Sequence, residues 1–106
     1  MPKNIKEILV DLKKGLKKIY HNRFRTLFLY GSYARRDAKT GSDLDVAVVI
    51  NDFSDIGKEI ETTGHLVSEL SLKNNLVVSL HPVREEKWEN PSSPFLLNIK
   101  KEGVAI

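Results

Sequence analysis

Between Lys3 and about Tyr20 the apolar positions fall at Ile5, Ile8, Leu9, Leu12, Leu16, Ile19 and Tyr20, with lysines between them. Steps of three and four residues predict an amphipathic helix, weakened locally by Gly15. The period then changes. Phe24 to Tyr30 is short, apolar and aromatic-rich, which predicts a strand. Asp43 to Ile50 is almost continuously apolar after Asp45, the pattern of a strand buried on both faces. A second long helix is expected from Asp55 to about Lys73, capped by Ser54, with Ile56, Ile60, Val67 and Leu70 on its inner face. Asn74 and Asn75 end it in a turn, and Leu76 to Pro82 reads as a third strand. After a short polar stretch, Ser93 caps, Pro94 opens and Gly103 closes a last helix. Lys100 and Lys101 occupy its final turn, and Phe95, Leu96 and Ile99 pack it down. With a small helix after the first strand, the order is α-β-α-β-α-β-α. That order predicts an α/β (α+β) fold, a small mixed sheet flanked by helices.

No repeat, low-complexity tract or linker divides residues 1–106, so a single domain is expected. With 41% hydrophobic and 29% charged residues the chain can build a core without staples. Cysteine is absent, which excludes disulfides and thiolate metal sites. No apolar stretch approaches the ~20 residues of a membrane span, and no signal-peptide h-region precedes the first helix, so a cytoplasmic location is expected. The net charge of +3 is unevenly spread: residues 1–26 hold eight Lys/Arg against two acids, the remainder nine against twelve. A basic first helix is either a solvated face or an approach to nucleic acid or an acidic partner. It lacks the aromatic residues that interleave in single-strand-binding patches, so nucleic acid is not the expected partner. Trp88 is read as a packing anchor or part of a partner surface.

The chemistry concentrates between Gly31 and Asp45, in GSYARRDAKTGSDLD. Asp43 and Asp45 alternate in a strand and therefore share a face, about 6.6 Å apart along the chain. Two carboxylates at that spacing can converge on one magnesium, or on a pair of metal ions about 4 Å apart. Magnesium takes its remaining ligands from water and substrate phosphates, which suits a site with two acids. Gly31 lets the backbone turn sharply and approach a ligand, Ser32 offers a hydroxyl, and Arg35 and Arg36 lie one turn on, within reach of phosphate oxygens.

Gly31-Ser32, followed ten residues later by Asp43-Leu44-Asp45 and a hydrophobic run, resembles the signature of the polymerase-beta-like nucleotidyltransferase superfamily. A lone domain with GSYAR and then SDLD is similar to the minimal nucleotidyltransferases, many of them antitoxin partners of HEPN-domain proteins. The resemblance implies that Gly31 and Ser32 hold the phosphates of a nucleoside triphosphate, expected to be ATP, and that Asp43 and Asp45 ligate Mg2+. A hydroxyl would attack the α-phosphorus in line, with pyrophosphate leaving; in the antitoxin subgroup the acceptor is a tyrosine of the toxin.

Two departures stand out. The family it resembles usually carries a third acid on the later strand, where this chain has Leu76-Val77-Val78-Ser79-Leu80-His81. Alternation sets Val77, Ser79 and His81 on the site face. Ser79 is therefore the expected occupant of the third position, and His81 a candidate base or an ordinary strand-end residue. Arg36 stands where relatives often have glycine. The expected function is transfer of AMP from Mg-ATP to a hydroxyl, on a HEPN-domain partner; the alternative is a degenerate member acting as a partner-binding module. An exposed strand edge would also permit a homodimer.

Overall fold

The computed structural model describes residues 3–106; Met1 and Pro2 of the expected 1–106 unit lie outside the described residues. The elements are α1 (Lys3–Tyr20), a 3-10 turn (His21–Arg23), β1 (Phe24–Tyr30), α2 (Gly31–Arg35), β2 (Leu44–Ile50), α3 (Ile56–Asn74), β3 (Val78–Arg84), α4 (Glu85–Glu89), α5 (Pro94–Glu102) and β4 (Val104–Ala105). The strands form one mixed sheet in the order β3-β2-β1-β4. β1 runs antiparallel to both β2 and β4, while β2 and β3 are parallel and joined through α3, because parallel neighbours need a crossover.

The alternation of β2 divides the core. Leu44, Val46, Val48 and Ile50 face α1 and α3, where Ile5, Ile8, Leu12 and Leu16 pack with Leu27 and Leu29 of β1. Ala47 and Val49 face the other way, toward Leu96 and Ile99 of α5, with Trp88 of α4 partly buried against them. The Trp88 ring lies 4.4 Å from that of Phe28, with the Lys100 ammonium 5.1 Å above it, so Trp88 is a packing anchor. Gly15 also has a packing reason: a Cβ there would come within 2.6 Å of Leu66 Cδ1, so its absence lets α1 and α3 approach.

Helix α1 and strand β1 fall where the periodicity predicts them. The cap of α3 does not. Asp55, not Ser54, is the N-cap, its carboxylate accepting from the Gly57 N–H at 2.9 Å, and the helix begins at Ile56. Its inner face also differs from the apolar stripe: Ile56 and Ile60 are exposed, whereas Glu59 and Thr63 are buried with Leu70. The reason is polar pairing, across the core for Glu59 and within the helix for Thr63. The Tyr20 hydroxyl donates to Glu59 Oε1 at 2.8 Å, and the Thr63 hydroxyl to the Glu59 carbonyl at 3.0 Å, so two polar residues are satisfied at positions an apolar count passes over.

Asn75 ends α3 in the left-handed region, with φ 52°. β3 starts two residues later than expected, at Val78, and continues through Pro82 to Arg84. Proline is tolerated because β3 is an edge strand bonded on one side only. Ser93 accepts from the Leu96 N–H at 3.2 Å, Pro94 opens α5 and Gly103 closes it, all as expected. The short elements α4 and β4 extend the expected order. No helix among the described residues is long and apolar enough to cross a membrane.

Candidate active site

The site forms where β1 ends. Gly31 turns the chain from β1 into α2 with φ +74°, a conformation that side-chain-bearing residues rarely adopt. The glycine is required twice over, because the Asp45 carboxylate sits where a Cβ would stand. The sheet register sets up this contact: Tyr30 lies opposite Asp45 on β2, and Asp45 opposite Ser79 on β3. Tyr30, Asp45 and Ser79 thus form a row across three strands on the α5 face.

Asp43 is exposed just before β2, and Asp45 is half-buried within it. Burial raises the Asp45 carboxyl above the usual carboxylate range, the charge of Asp43 raises it further, and Arg35 pulls the other way. Burial, followed by the charge of Asp45, pushes the Tyr30 phenol up to about 12. The Tyr30 ring meets Phe95 of α5 edge-on at 5.7 Å.

A cleft of about 330 Å³ opens between Tyr30, Gly31, Ser32, Arg35 and Asp45 on one side and Phe95, Asn98 and Glu102 of α5 on the other. Glu102 reaches into it. Its Oε1 accepts from the Gly31 N–H at 3.2 Å and from Arg35 Nη1 at 3.4 Å. Arg35 also binds Asp37 at 3.2 Å, and these two carboxylates, Asp37 foremost, raise its pKa.

Gly31, Ser32, Arg35 and Asp45 are therefore brought together, with Asp43 close enough to Asp45 for their charges to interact. Arg36 is not brought to the cleft. It ends α2 with φ 64° and lines a separate cavity with Tyr33 and Lys39. Ser79 occupies the third position of the row as a neutral hydroxyl. His81 lies two residues further along β3, opposite Ala47, with its ring 4.7 Å from Phe95. It opens onto a different cavity, beside Phe53 and Pro82, and burial lowers its pKa below the usual value. A larger cavity, about 580 Å³, lies between Tyr33, Thr40 and Ser42 and the turn after α3, and none of these candidate residues lines it.

Among the described residues no cluster of three or more His, Cys, Asp or Glu could hold a metal ion. Asp43 and Asp45 nonetheless fit magnesium. They are hard oxygen donors that repel each other, and a cation with water and phosphate oxygens as its other ligands relieves that repulsion. Glu102, Asn98 and Tyr30 are absent from the sequence reading of the cleft. Tyr30 was legible as the neighbour of Gly31, but nothing local marks a glutamate 71 residues further on.

Comparison with known proteins finds relatives of the chain. A family model described as polymerase beta, nucleotidyltransferase matches residues 4–106. A Methanocaldococcus jannaschii protein provisionally named a protein adenylyltransferase is 29% identical over 100 residues, covering 94% of this chain and 96% of that protein. A second one from the same organism is 37% identical over 73 residues, covering 69% and 83%. A chain of a crystal structure of a toxin–antitoxin pair with AMP-PNP superposes with a TM-score of 0.64 at 19% identity, over 90% of this chain and 69% of that one. A chain of the tri-AMPylated Shewanella oneidensis HEPN toxin in complex with an MNT antitoxin superposes with a TM-score of 0.53 at 19% identity, over 92% and 70%. These two likenesses are of fold.

Proposed function

Since the chain belongs to the polymerase beta, nucleotidyltransferase family, we propose that it binds Mg-ATP in the cleft beneath α5 and transfers AMP to a hydroxyl of a partner protein. The observation that carries this proposal is the packing of the Asp45 carboxylate against Gly31, which joins a phosphate-type turn to a metal-type acid at one point. The Gly31 N–H, the Ser32 hydroxyl and the Arg35 guanidinium are donors for phosphate oxygens. Asp43 and Asp45 hold magnesium. Bound there, the metal neutralises charge on the reacting phosphate oxygens.

In the transfer, an oxygen–phosphorus bond forms between the acceptor hydroxyl and the α-phosphorus. The bond from the α-phosphorus to its bridging oxygen breaks, and pyrophosphate carries the electron pair away. The acceptor proton leaves to solvent or to a group of the partner, since Ser79 is not a base. The provisional names of the relatives favour a protein acceptor. The toxin–antitoxin complexes favour a HEPN-domain protein as that acceptor.

Ser79 favours a second reading, a binding module that retains the nucleotide cleft and the partner surface without transfer. Titrating ATP by calorimetry with magnesium and then with EDTA, followed by mass spectrometry of a HEPN partner incubated with ATP, separates the two. Magnesium-dependent binding with one added AMP on the partner is the expected result. Binding without the added AMP leaves the module. Asp43→Asn with Asp45→Asn should abolish the magnesium-dependent heat while circular dichroism stays native. Unchanged Mg-ATP binding by that double variant overturns the site.

A further inference from the structure

We infer that Glu102 is an internal occupant of the phosphate end of the cleft, a carboxylate that the triphosphate must displace before it can bind. The inference deepens the proposed function and rests on it. The Gly31 N–H and Arg35 Nη1 are the donors which that function gives to phosphate, and both already point at Glu102 Oε1, at 3.2 and 3.4 Å. An ionised carboxylate resembles a phosphate oxygen in what those donors recognise: it is anionic and acceptor-only. The backbone amide has a single hydrogen, so it cannot serve both at full strength.

The position of Glu102 is set from both sides. Upstream, Ile99 is buried against the sheet and Phe95 leans on Tyr30. Downstream, only Gly103 separates Glu102 from β4, and a Cβ on that glycine would come within 2.5 Å of the Ile99 carbonyl oxygen. β4 pairs with Phe28 and Leu29, the Ile106 N–H donates to the Leu27 carbonyl at 2.9 Å, and Lys13 Nζ donates to the Ile106 carbonyl at 2.6 Å. Residues 94–106 therefore form a strap that delivers one carboxylate to the site. The Glu102 side chain keeps 32% of its exposure, so it has solvent to swing into when displaced. Partly exposed charge-assisted contacts of this kind are weak, and removing them should tighten phosphate binding by roughly three- to tenfold.

The test uses the full chain, with Mg-ATP and magnesium tripolyphosphate as probes and the Gly31 amide followed by 15N NMR. In Glu102→Ala the Gly31 amide should move and lose exchange protection before any ligand is added, and both probes should bind more tightly. Glu102→Gln, which keeps an acceptor but loses the charge, should fall between the variant and the wild type. A Gly31 amide indifferent to Glu102→Ala overturns the contact itself. A changed amide with unchanged affinity for both probes overturns the displacement while leaving the nucleotide site standing. Failure of either probe to bind in wild type and in both variants, with the amide changed, brings down the proposed nucleotide site and this inference with it.

Discussion

Replacing Gly31 by alanine tests whether the phosphate-type turn and the metal-type acid are one structure. Gly31 has φ +74°, and an ideal Cβ there would overlap the Asp45 carboxylate, with Asp45 Cγ at 3.1 Å and Cβ at 3.2 Å. Asp45 has no room to withdraw its backbone, because β2 is central and the residue is paired with Tyr30 on one side and Ser79 on the other. Only its side chain can give. The left-handed backbone costs about 1–2 kcal/mol for a residue with a Cβ, and an off-rotamer carboxylate about 0.5–1.5 kcal/mol. Gly31→Ala should therefore destabilise by about 1.5–3.5 kcal/mol. With a urea slope of about 1.5 kcal/mol/M, the unfolding midpoint falls by about 1–2.3 M.

Gly41→Ala is the internal control. It has φ +88° with nothing within 4 Å of its would-be Cβ, so it carries the backbone cost alone, about 1–2 kcal/mol. In an Asp45→Ala background the cost of Gly31→Ala should drop toward the Gly41 value. Equal midpoints for Gly31→Ala and Gly41→Ala would refute the reasoning, because the carboxylate would not then be resting on the turn.

Two further perturbations follow from buried polar groups. His81 has its pKa lowered by burial, so the unfolded chain binds its proton more readily; stability is fully present above the ordinary value of 6.5 and is lost as pH falls below it toward the folded value. His81→Gln should flatten that acid-side slope in thermal melts between pH 7 and pH 5, and an unchanged slope would show that the ring is not desolvated. Tyr20→Phe strips the buried Glu59 carboxylate of its hydroxyl partner, which should cost about 1.5–3 kcal/mol in urea unfolding at pH 7; a loss under 0.5 kcal/mol, as at an indifferent surface position, would contradict the pairing.

What the sequence reveals and what it hides divide along the range of the interaction. The run Val46 to Ile50 announces a strand buried on both faces because each residue reports its own surroundings, and Ala47 and Val49 do face a second layer. Helix α1 is legible for the same reason. The face of α3 is not, since buried Glu59 has its partner in Tyr20, 39 residues earlier, and buried Thr63 turns its hydroxyl onto carbonyls of its own helix. The turn at Gly31 and the row from Asp45 to Ser79 follow from alternation once β2 and β3 are taken as neighbours. Arg36 reads like Arg35 in the chain, yet the left-handed end of α2 turns it away. Glu102 is beyond any local rule: its role depends on α5 crossing the sheet face and on a two-residue strand, β4, with no hydrophobic pattern of its own.

The serine opposite Asp45 is the remaining lever on what the site does. Binding of a magnesium-bound triphosphate asks for donors and for carboxylates that tolerate each other's charge, and Asp45 already bears burial and the repulsion of Asp43. A third acid in the row would add to that repulsion, so the serine favours the cleft before it is loaded. Transfer asks for something different, a group to take the acceptor proton, and His81 lies behind Phe95 on another cavity. On the proposed reading, binding and transfer should therefore separate at this position. Ser79→Asp places a carboxylate beside Asp45 across one strand spacing, about 4.8 Å. It should leave Mg-ATP affinity within a few-fold and raise the rate of AMP transfer to a partner by roughly 10²-fold, the scale of a positioned base. Increased magnesium dependence should accompany it, because the added carboxylate is also a cation ligand. If the variant binds normally and transfers no faster than the wild type, the missing acid is not what limits this site, and the difference between transferase and binding module must be sought in the partner.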